Sequence, residues 1–115
     1  MSATVAPERI DEVAHALADG TRRKLLLLVR DEERAAGDLA AAFPHMSRPA
    51  VSQHLRVLHE AGLVRIRPNG NQRLYLANAD GLTEVWKFID GMWTDRLAKL
   101  KHAAERAERS KRRRT

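Results

Sequence analysis

Apolar residues recur at helical spacing along most of this chain, and they predict five helices. The first helix spans residues 8–18, where apolar side chains fall at intervals of three and four residues. The second runs from residue 22 to about 30, and its apolar centre at 25–29 is expected to be buried on all sides. A short third helix covers residues 37–43, and a long last helix runs from about 82 to 107.

The fourth helix, within residues 47–62, has both of its ends marked in the sequence. Ser47 can accept hydrogen bonds from the first free amides, and Pro49 suits the first turn. Gly62 can adopt the left-handed conformation that ends many helices. We therefore expect a helix that starts after Ser47 and stops before Gly62.

That fourth helix has two different faces. Its inner face carries apolar side chains at helical spacing, namely Val51, Leu55 and Leu58. Its outer face is polar and carries Pro49, Ser52, Gln53, Arg56 and Glu60. Such a helix fits the major groove of DNA, where base edges offer hydrogen bonds to Arg, Gln and Ser. A solvated helix of any small helical domain shows the same pattern, so the flanking elements have to decide between the two.

The elements on either side of the fourth helix favour DNA binding. Two short β-type runs, residues 63–67 and 72–76, flank an Asn-Gly turn, which is a strong hairpin signal. Three arginines lie on or beside this hairpin. On the other side, the short turn 44–46 joins the third helix to the fourth. Four helices, a basic hairpin and a last helix predict a mainly α winged helix-turn-helix.

These motifs resemble the ArsR-type (ArsR/SmtB-like) bacterial repressors, over roughly residues 8–100. The resemblance rests on a Ser-x-His-Leu core at residues 52–55 followed by Ala-Gly-Leu-Val at 61–64. Further matching segments are 17–23, Leu39-Ala40, the rest of 47–58, and 70–75. The turn 44–46 departs from the family by being a residue longer than in its tightest members. The resemblance implies a sequence-specific regulator of transcription, in a subgroup that lacks cysteine metal ligands.

The polar helix and the hairpin supply the predicted DNA contacts. Arg48 and Gln53 are expected to contact base edges, since Arg with guanine and Gln with adenine are favoured pairs. The remaining predicted contacts, mostly to phosphates or from the wing, are Ser47, Pro49, Ser52, His54, Arg56, Arg67, Asn71, Gln72, Arg73 and Arg22. His54 is either a half-buried neighbour of the core or, as the resemblance implies, a residue that approaches the DNA backbone.

The last helix carries a broad apolar stripe along a length of about 39 Å, at ~1.5 Å per residue. The stripe either packs on the first helix of the same chain or pairs with a second copy. The resemblance implies a homodimer in which first and last helices pair across a two-fold axis. The predicted interface comprises Ile10, Val13, Leu82, Val85, Trp86, Ile89, Met92, Trp93 and Leu97.

Composition narrows the possible function classes. The chain has 115 residues, which suits one domain with one modest core. It has no cysteine, which excludes disulfides, thiolate metal sites and thiol redox chemistry. It has neither a membrane-spanning apolar run nor a signal-peptide pattern, so we expect a cytoplasmic protein. No nucleophile elbow or Gly-rich phosphate loop is present, and we expect neither an enzyme nor a cofactor.

Charge is concentrated in two places. The formal net charge is +6, and residues 109–115 carry five positive charges and no acid, which leaves a balance of +1 elsewhere. Within that remainder, residues 44–76 hold five arginines against one glutamate. We expect residues 1–7 to be disordered, residues 8–108 to form the domain, and residues 109–115 to form a basic tail. The tail is either solvated or lies along phosphates outside the half-site.

Other functions and folds are possible on the same residues. A small-molecule effector could bind a lipophilic pocket lined by Trp86, Met92 and Trp93. A metal site in the last helix has only half its expected ligands, His102 and Glu105. An architectural protein that coats DNA with little sequence preference would need basic residues spread widely over its surface. The chain without residues 109–115 has a net charge of only +1, which argues against this function. A MarR-type winged helix is the alternative fold family, which the short chain with one long C-terminal helix disfavours.

Overall fold

The computed structural model describes residues 5–114, and the side-chain surroundings of residues 9–113. The contacts within the chain divide it into two units, one ending at Val85 and one starting at Trp86. The helices are α1 Val5–Leu17, α2 Gly20–Leu28, α3 Ala36–Ala41, α4 Arg48–Glu60 and α5 Thr83–Arg114. The strands are β1 Arg34–Ala35, β2 Val64–Asn69 and β3 Gln72–Ala77, and a 3₁₀ turn covers Ala79–Leu82.

The predicted order of four helices, a hairpin and a last helix is confirmed, but both ends of the helical region lie elsewhere than expected. Helix α1 begins at Val5, so residues 5–7 of the expected disordered N-terminus are helical, and residues 1–4 lie outside the described part. Helix α5 continues to Arg114 through the residues predicted as a tail. The described part of the tail is therefore the last turns of a 32-residue helix, about 48 Å long at ~1.5 Å per residue.

The hairpin belongs to a three-stranded antiparallel sheet in the order β1-β3-β2. Strand β1 was not predicted, because two residues are too few to show a period. The hairpin turns between Asn69 and Gln72, which are paired, so its two loop residues are Gly70 and Asn71. Gly70 has φ of 63°, whereas no non-glycine residue of the described chain has positive φ. Positive φ at the first loop residue alone is the pattern of a type II′ turn, which matches strand twist.

The core is mostly aliphatic and draws on α1, α2, α3, α4, β2 and β3. The three predicted inner residues of α4 are buried, as expected, and pack with residues from α1, α2, α3, β2 and β3. The central residues of α2 behave differently from the prediction. Leu25 and Val29 are buried, but Leu27 is 62% exposed, because a single helix at the edge of a small core turns one side to solvent. The core members are Val13, Ala16, Leu25, Val29, Leu39, Val51, Leu55, Leu58, Ala61, Leu63, Val64 and Tyr75.

Both ends of α4 are fixed as the sequence predicts. The Ser47 hydroxyl accepts a hydrogen bond from the Ala50 amide at 3.2 Å. Gly62 has φ of 79°, the left-handed conformation expected there. The Asn78 side chain donates to the Gly62 carbonyl at 3.0 Å, and a Cβ on Gly81 would lie 2.0 Å from the same oxygen. The chain leaving the hairpin therefore packs directly on the end of α4, which holds helix and hairpin in a fixed relation.

Val13 corrects one part of the predicted dimer interface. It is only 1% exposed and belongs to the core cluster, so it has almost no surface left to offer a second chain. The sequence pattern placed Val13 on an apolar face of α1, and that face packs in the core of the same chain. Val85 is partly buried against the same cluster, whereas Ile10 remains half-exposed.

Helix α5 presents its apolar stripe at the surface of the described chain. Trp86 is 68% exposed, and the Arg96 guanidinium lies 5.8 Å from the centre of the Trp93 ring. The other large apolar side chains of this helix that are exposed are Phe88, Ile89, Met92, Leu97 and Leu100. No helix of the described residues is long and apolar enough to cross a membrane.

Candidate nucleic-acid interface

The outer face of α4 presents polar side chains to solvent along its whole length. Ser47, Arg48, Pro49, Ser52, Gln53 and Arg56 are all exposed, while Val51 and Leu55 on the inner face are each 1% exposed. The buried inner residues anchor the helix, and the Ser47 cap fixes its first turn. A rigid helix with free polar side chains is what base or phosphate contacts require.

A cleft of about 640 Å³ separates α4 from the hairpin, and its rim is basic. Helix α4 contributes four polar residues at helical spacing, and the hairpin contributes three from its turn and the start of β3. No Asp or Glu occurs among the described residues that line the cleft. The polar lining consists of Arg48, Ser52, Arg56, His59, Asn71, Gln72 and Arg73. Three guanidinium groups around an acid-free cleft make this surface electropositive.

Two residues of this surface were missed by sequence reasoning. His59 lines the cleft, and its spacing of seven residues from Ser52 on one helix face could have revealed it. Gly37 lies under Arg48, because a Cβ at position 37 would come 3.0 Å from the Arg48 Nη2 atom. A side chain there would displace that guanidinium. Only the fold brings α3 and α4 close enough to show this role.

Arg22 is not free to act as the phosphate contact that was predicted. Its Nε donates to the Ala16 carbonyl at 2.7 Å, and its Nη2 donates to the His15 carbonyl at 2.9 Å. Its Nη1 lies 3.1 Å from the His54 Nδ1 atom. All three nitrogens of the guanidinium therefore have partners inside the protein.

His54 is half-buried, with 21% of its side chain exposed. Its Nδ1 lies 3.9 Å from the Asp19 carboxylate as well as 3.1 Å from Arg22. Asp19 caps α2 and accepts from the Arg22 amide at 3.1 Å. This backbone hydrogen bond holds the pKa of Asp19 below its ordinary value, and the charge of Arg22 lowers it further.

Two of the three hairpin arginines are paired with carboxylates. Arg67 donates two hydrogen bonds to Glu33, at 2.8 and 2.9 Å, and Arg65 donates to Asp80 at 3.1 Å. The hydrogen bond between Arg67 and Glu33 raises the pKa of Arg67 and lowers that of Glu33. Arg73 is the hairpin arginine that lines the cleft. Arg67 is therefore paired within the protein, although 59% of its side chain is exposed, and its role as a wing contact stays a prediction.

Comparison with known proteins identifies the family. The family model "Bacterial regulatory protein, arsR family" matches residues 19–65, from the cap of α2 to the start of β2. The "HTH-type transcriptional regulator Rv2034" of Mycobacterium tuberculosis is 45% identical over 87 residues, covering 76% of this chain and 80% of the relative. The chain belongs to the ArsR family. The predicted resemblance is thereby confirmed, and the protein is a DNA-binding regulator of transcription rather than an enzyme.

Further ArsR-family similarities cover most of the winged helix. The "Transcriptional repressor SdpR" of Bacillus subtilis is 33% identical, covering 70% of this chain and 93% of the relative. The structure of an "ArsR-like Transcriptional Regulator from Rhodococcus sp. RHA1" is 31% identical with a TM-score of 0.65, covering 84% of this chain and 93% of that one. The "homodimeric winged helix-turn-helix DNA-binding domain" Mb0332 of Mycobacterium bovis is 26% identical with a TM-score of 0.62, covering 82% and 86%. The predicted winged helix-turn-helix fold is confirmed.

The potential metal ligands of this ArsR-family chain form no cluster in its described part. Between residues 5 and 114, no group of three or more His, Cys, Asp or Glu residues is placed to hold a metal ion. His102 and Glu105 lie one turn apart on α5, where they can interact as neighbours on a helix surface. The chain also has no cysteine, the thiolate ligand of many metal sites.

Proposed function

We propose that this ArsR-family protein is a cytoplasmic homodimeric repressor that binds an inverted-repeat operator. Two copies of α4 would enter successive major grooves on one face of B-DNA, with half-site centres about 10 base pairs apart. The observation that carries the proposal is the acid-free cleft between α4 and the hairpin, with Arg48, Arg56 and Arg73 on its rim. A phosphate backbone is the polyanion that such a cleft can accept.

Within this interface we assign direct base contacts to Arg48 and Gln53. Both are exposed near the N-terminal end of α4, which is the part of a recognition helix that approaches base edges. Arg48 lies over Gly37, so the absence of a side chain there leaves its guanidinium room to move. The phosphate contacts are assigned to Ser47, Ser52, His54 and Arg56 on α4, and to Asn71, Gln72 and Arg73 on the hairpin, while Pro49 packs at the helix start.

The proposed dimer uses the exposed apolar stripe of α5. Large apolar side chains in water are costly, at about 25 cal/mol per Å² of apolar surface, so a partner surface would stabilise the protein. The stripe is continuous along the helix by its spacing, and a homodimeric assembly is stated for the similar domain Mb0332. The residues we assign to the interface are Ile10, Leu82, Val85, Trp86, Ile89, Met92, Trp93 and Leu97.

A salt titration tests the assignment of the cleft without knowledge of the operator. We expect Arg56→Gln and Arg73→Gln each to flatten the log–log salt dependence of DNA binding by ~0.9 for every phosphate that the protein no longer neutralises. Arg30→Gln is the matched control, because Arg30 is exposed and pairs with its neighbour Asp31. If all three variants keep the salt slope of the unmodified protein, the cleft does not bind phosphates.

A further inference from the structure

We infer that Arg22 is a positioning residue, which holds the His54 ring in the tautomer with its proton on Nε2, so that Nε2 can donate a hydrogen bond to a DNA phosphate. Arg22 and His54 have different roles. Arg22 would act inside the protein and His54 at its surface. The step at the phosphate rests on the proposed function, whereas the tautomer itself is a property of the free protein.

The Arg22 guanidinium is fixed from one side by the end of α1. It donates to the carbonyls of His15 and Ala16, at 2.9 and 2.7 Å. The last carbonyls of a helix have no partner within the helix, so the bond to Ala16 satisfies a group that would otherwise need water, whereas the His15 carbonyl also accepts from the Ala18 amide at 3.2 Å. A guanidinium is planar, and two of its nitrogens are held by α1. The third, Nη1, is thereby aimed at His54.

The chemistry of the Arg22–His54 contact selects one form of the ring. Arginine has donors and no acceptor, so the His54 Nδ1 atom, 3.1 Å from Nη1, has to accept the hydrogen bond. An accepting Nδ1 carries no proton. In a neutral imidazole the proton is then on Nε2, which makes Nε2 the donor.

The donor Nε2 is available to a ligand. Among residues 9–113 it has no hydrogen-bond partner, since the polar contacts of His54 are those of Nδ1. No buried side-chain nitrogen or oxygen of the described chain lacks a partner, so Nε2 reaches solvent. His54 follows Gln53 on α4, within the helix assigned to the major groove. An N–H at this place can donate to a phosphate oxygen.

Asp19 is the other charged group that faces the ring, and it does not set the tautomer. Its carboxylate lies 3.9 Å from Nδ1, which is too long for a hydrogen bond. The carboxylate instead accepts from the Arg22 amide at 3.1 Å. Asp19 thus holds the start of α2, on which Arg22 stands, while the guanidinium contacts the ring.

The tautomer is measured directly by ¹⁵N NMR of the imidazoles in the free full-length protein, at about pH 8.5, where free imidazole is neutral. We expect His54 to show a protonated Nε2 and a non-protonated Nδ1, and Arg22→Met to give a mixture of both tautomers. Arg22→Lys serves as a second variant should Arg22→Met fold poorly, because one ammonium cannot hold α1 and the ring in the same geometry. A protonated Nδ1 in the unmodified protein would overturn the inference.

Arg23→Met is the matched control for the NMR measurement of the tautomer and for DNA binding. Arg23 stands next to Arg22 and also donates to a carbonyl at the end of α1, Leu17, at 2.8 Å, but it has no contact with His54. It should leave the His54 tautomer unchanged. A mixture of tautomers in Arg23→Met as large as in Arg22→Met would assign the effect to α1 as a whole and contradict the inference.

DNA binding separates a positioning role from a phosphate contact. The mixture of tautomers expected in Arg22→Met still contains the donating form, so a dimer should bind only about fourfold more weakly, about twofold for each chain at equal populations. The log–log salt slope should stay unchanged, because no phosphate loses a cation. His54→Phe removes the donor altogether and should weaken binding more, by about tenfold for a dimer, and the double variant should bind no more weakly than His54→Phe alone. A slope flattened by ~0.9 per chain in Arg22→Met would make Arg22 a phosphate contact and refute the inference.

Should the protein bind no DNA, the proposed function fails, while the NMR result still decides the tautomer.

Discussion

Arg67 on the hairpin and Glu33 before β1 form a two-point ion pair, with Nε–Oε2 at 2.8 Å and Nη2–Oε1 at 2.9 Å. The pair joins residues 34 positions apart and connects β2 to the loop on the far side of the sheet. Arg–carboxylate pairs of this geometry are directional as well as attractive. The pair therefore links β2 of the hairpin to the loop before β1. It also engages an arginine that could otherwise contact DNA.

Releasing Arg67 should strengthen DNA binding that is independent of sequence. We expect Glu33→Gln to raise affinity for random DNA at low salt and to steepen the log–log salt slope by up to ~0.9 per chain. Glu32→Gln is the matched control, because it changes the net charge equally but its carboxylate pairs with Arg34 at 3.4 Å. Equal gains in the two variants would mean that net charge alone matters and that Arg67 stays away from phosphates.

The same pair predicts a pH dependence of stability. The hydrogen bond from Arg67 lowers the pKa of Glu33 in the folded protein. The stabilisation is therefore fully present above the unfolded pKa, about 4.3 for Glu, and is lost as pH falls through the lower folded value. Thermal denaturation should show Glu33→Gln to be less stable than the unmodified protein at pH 6, with the difference shrinking as pH falls below about 4.3 towards and through the lower folded pKa of Glu33. A difference that stays constant as pH falls through this range would contradict this origin.

The α5 stripe predicts the oligomeric state. Ile89→Asp would bury an unpaired carboxylate in the proposed dimer interface. Burying an unpaired polar group costs roughly several kcal/mol, so the dimer should open instead. Light scattering should then report a monomer, with loss of DNA binding. Phe88→Asp is the control, since Phe88 is also exposed but points about 100° away around the helix. An unmodified protein that is itself monomeric at micromolar concentration would contradict this interface.

The basic end of α5 predicts a contribution to affinity without specificity. Residues 109–115 supply five of the six net positive charges, and their described part is helical. Removing them, or replacing their basic residues with Gln to keep the helix, should flatten the salt slope and weaken binding to all sequences alike. The ratio of operator to random affinity should stay nearly constant. Unchanged slopes in both variants would show that this end remains in solvent.

Local sequence signals predicted most of the fold because they act over a few residues. Ser47 and Gly62 mark the ends of α4 by their own hydrogen-bonding and conformational properties. Gly70 likewise sets the hairpin turn. The two-residue strand β1 gave no signal, since its two residues take their strand character from pairing with Tyr75 and Leu74.

The interface was predicted less completely, because charge neighbours come from distant parts of the chain. Residues 44–76 looked strongly basic, yet the fold brings Glu33 to Arg67 and Asp80 to Arg65 from outside that segment. Arg22 looked like an exposed cation and instead holds three internal partners. Neither arrangement has a periodicity or spacing that the sequence alone could reveal.

Selection of bound fragments from random DNA tests the central claim most directly. The account predicts enrichment of an inverted repeat whose half-site centres lie about 10 base pairs apart. Arg48→Ala and Gln53→Ala should each weaken binding to that site by ~1–3 kcal/mol and relax preference at one base pair per half-site. Enrichment of no motif, or of a single asymmetric site that both variants still prefer, would contradict a dimeric reader that uses α4.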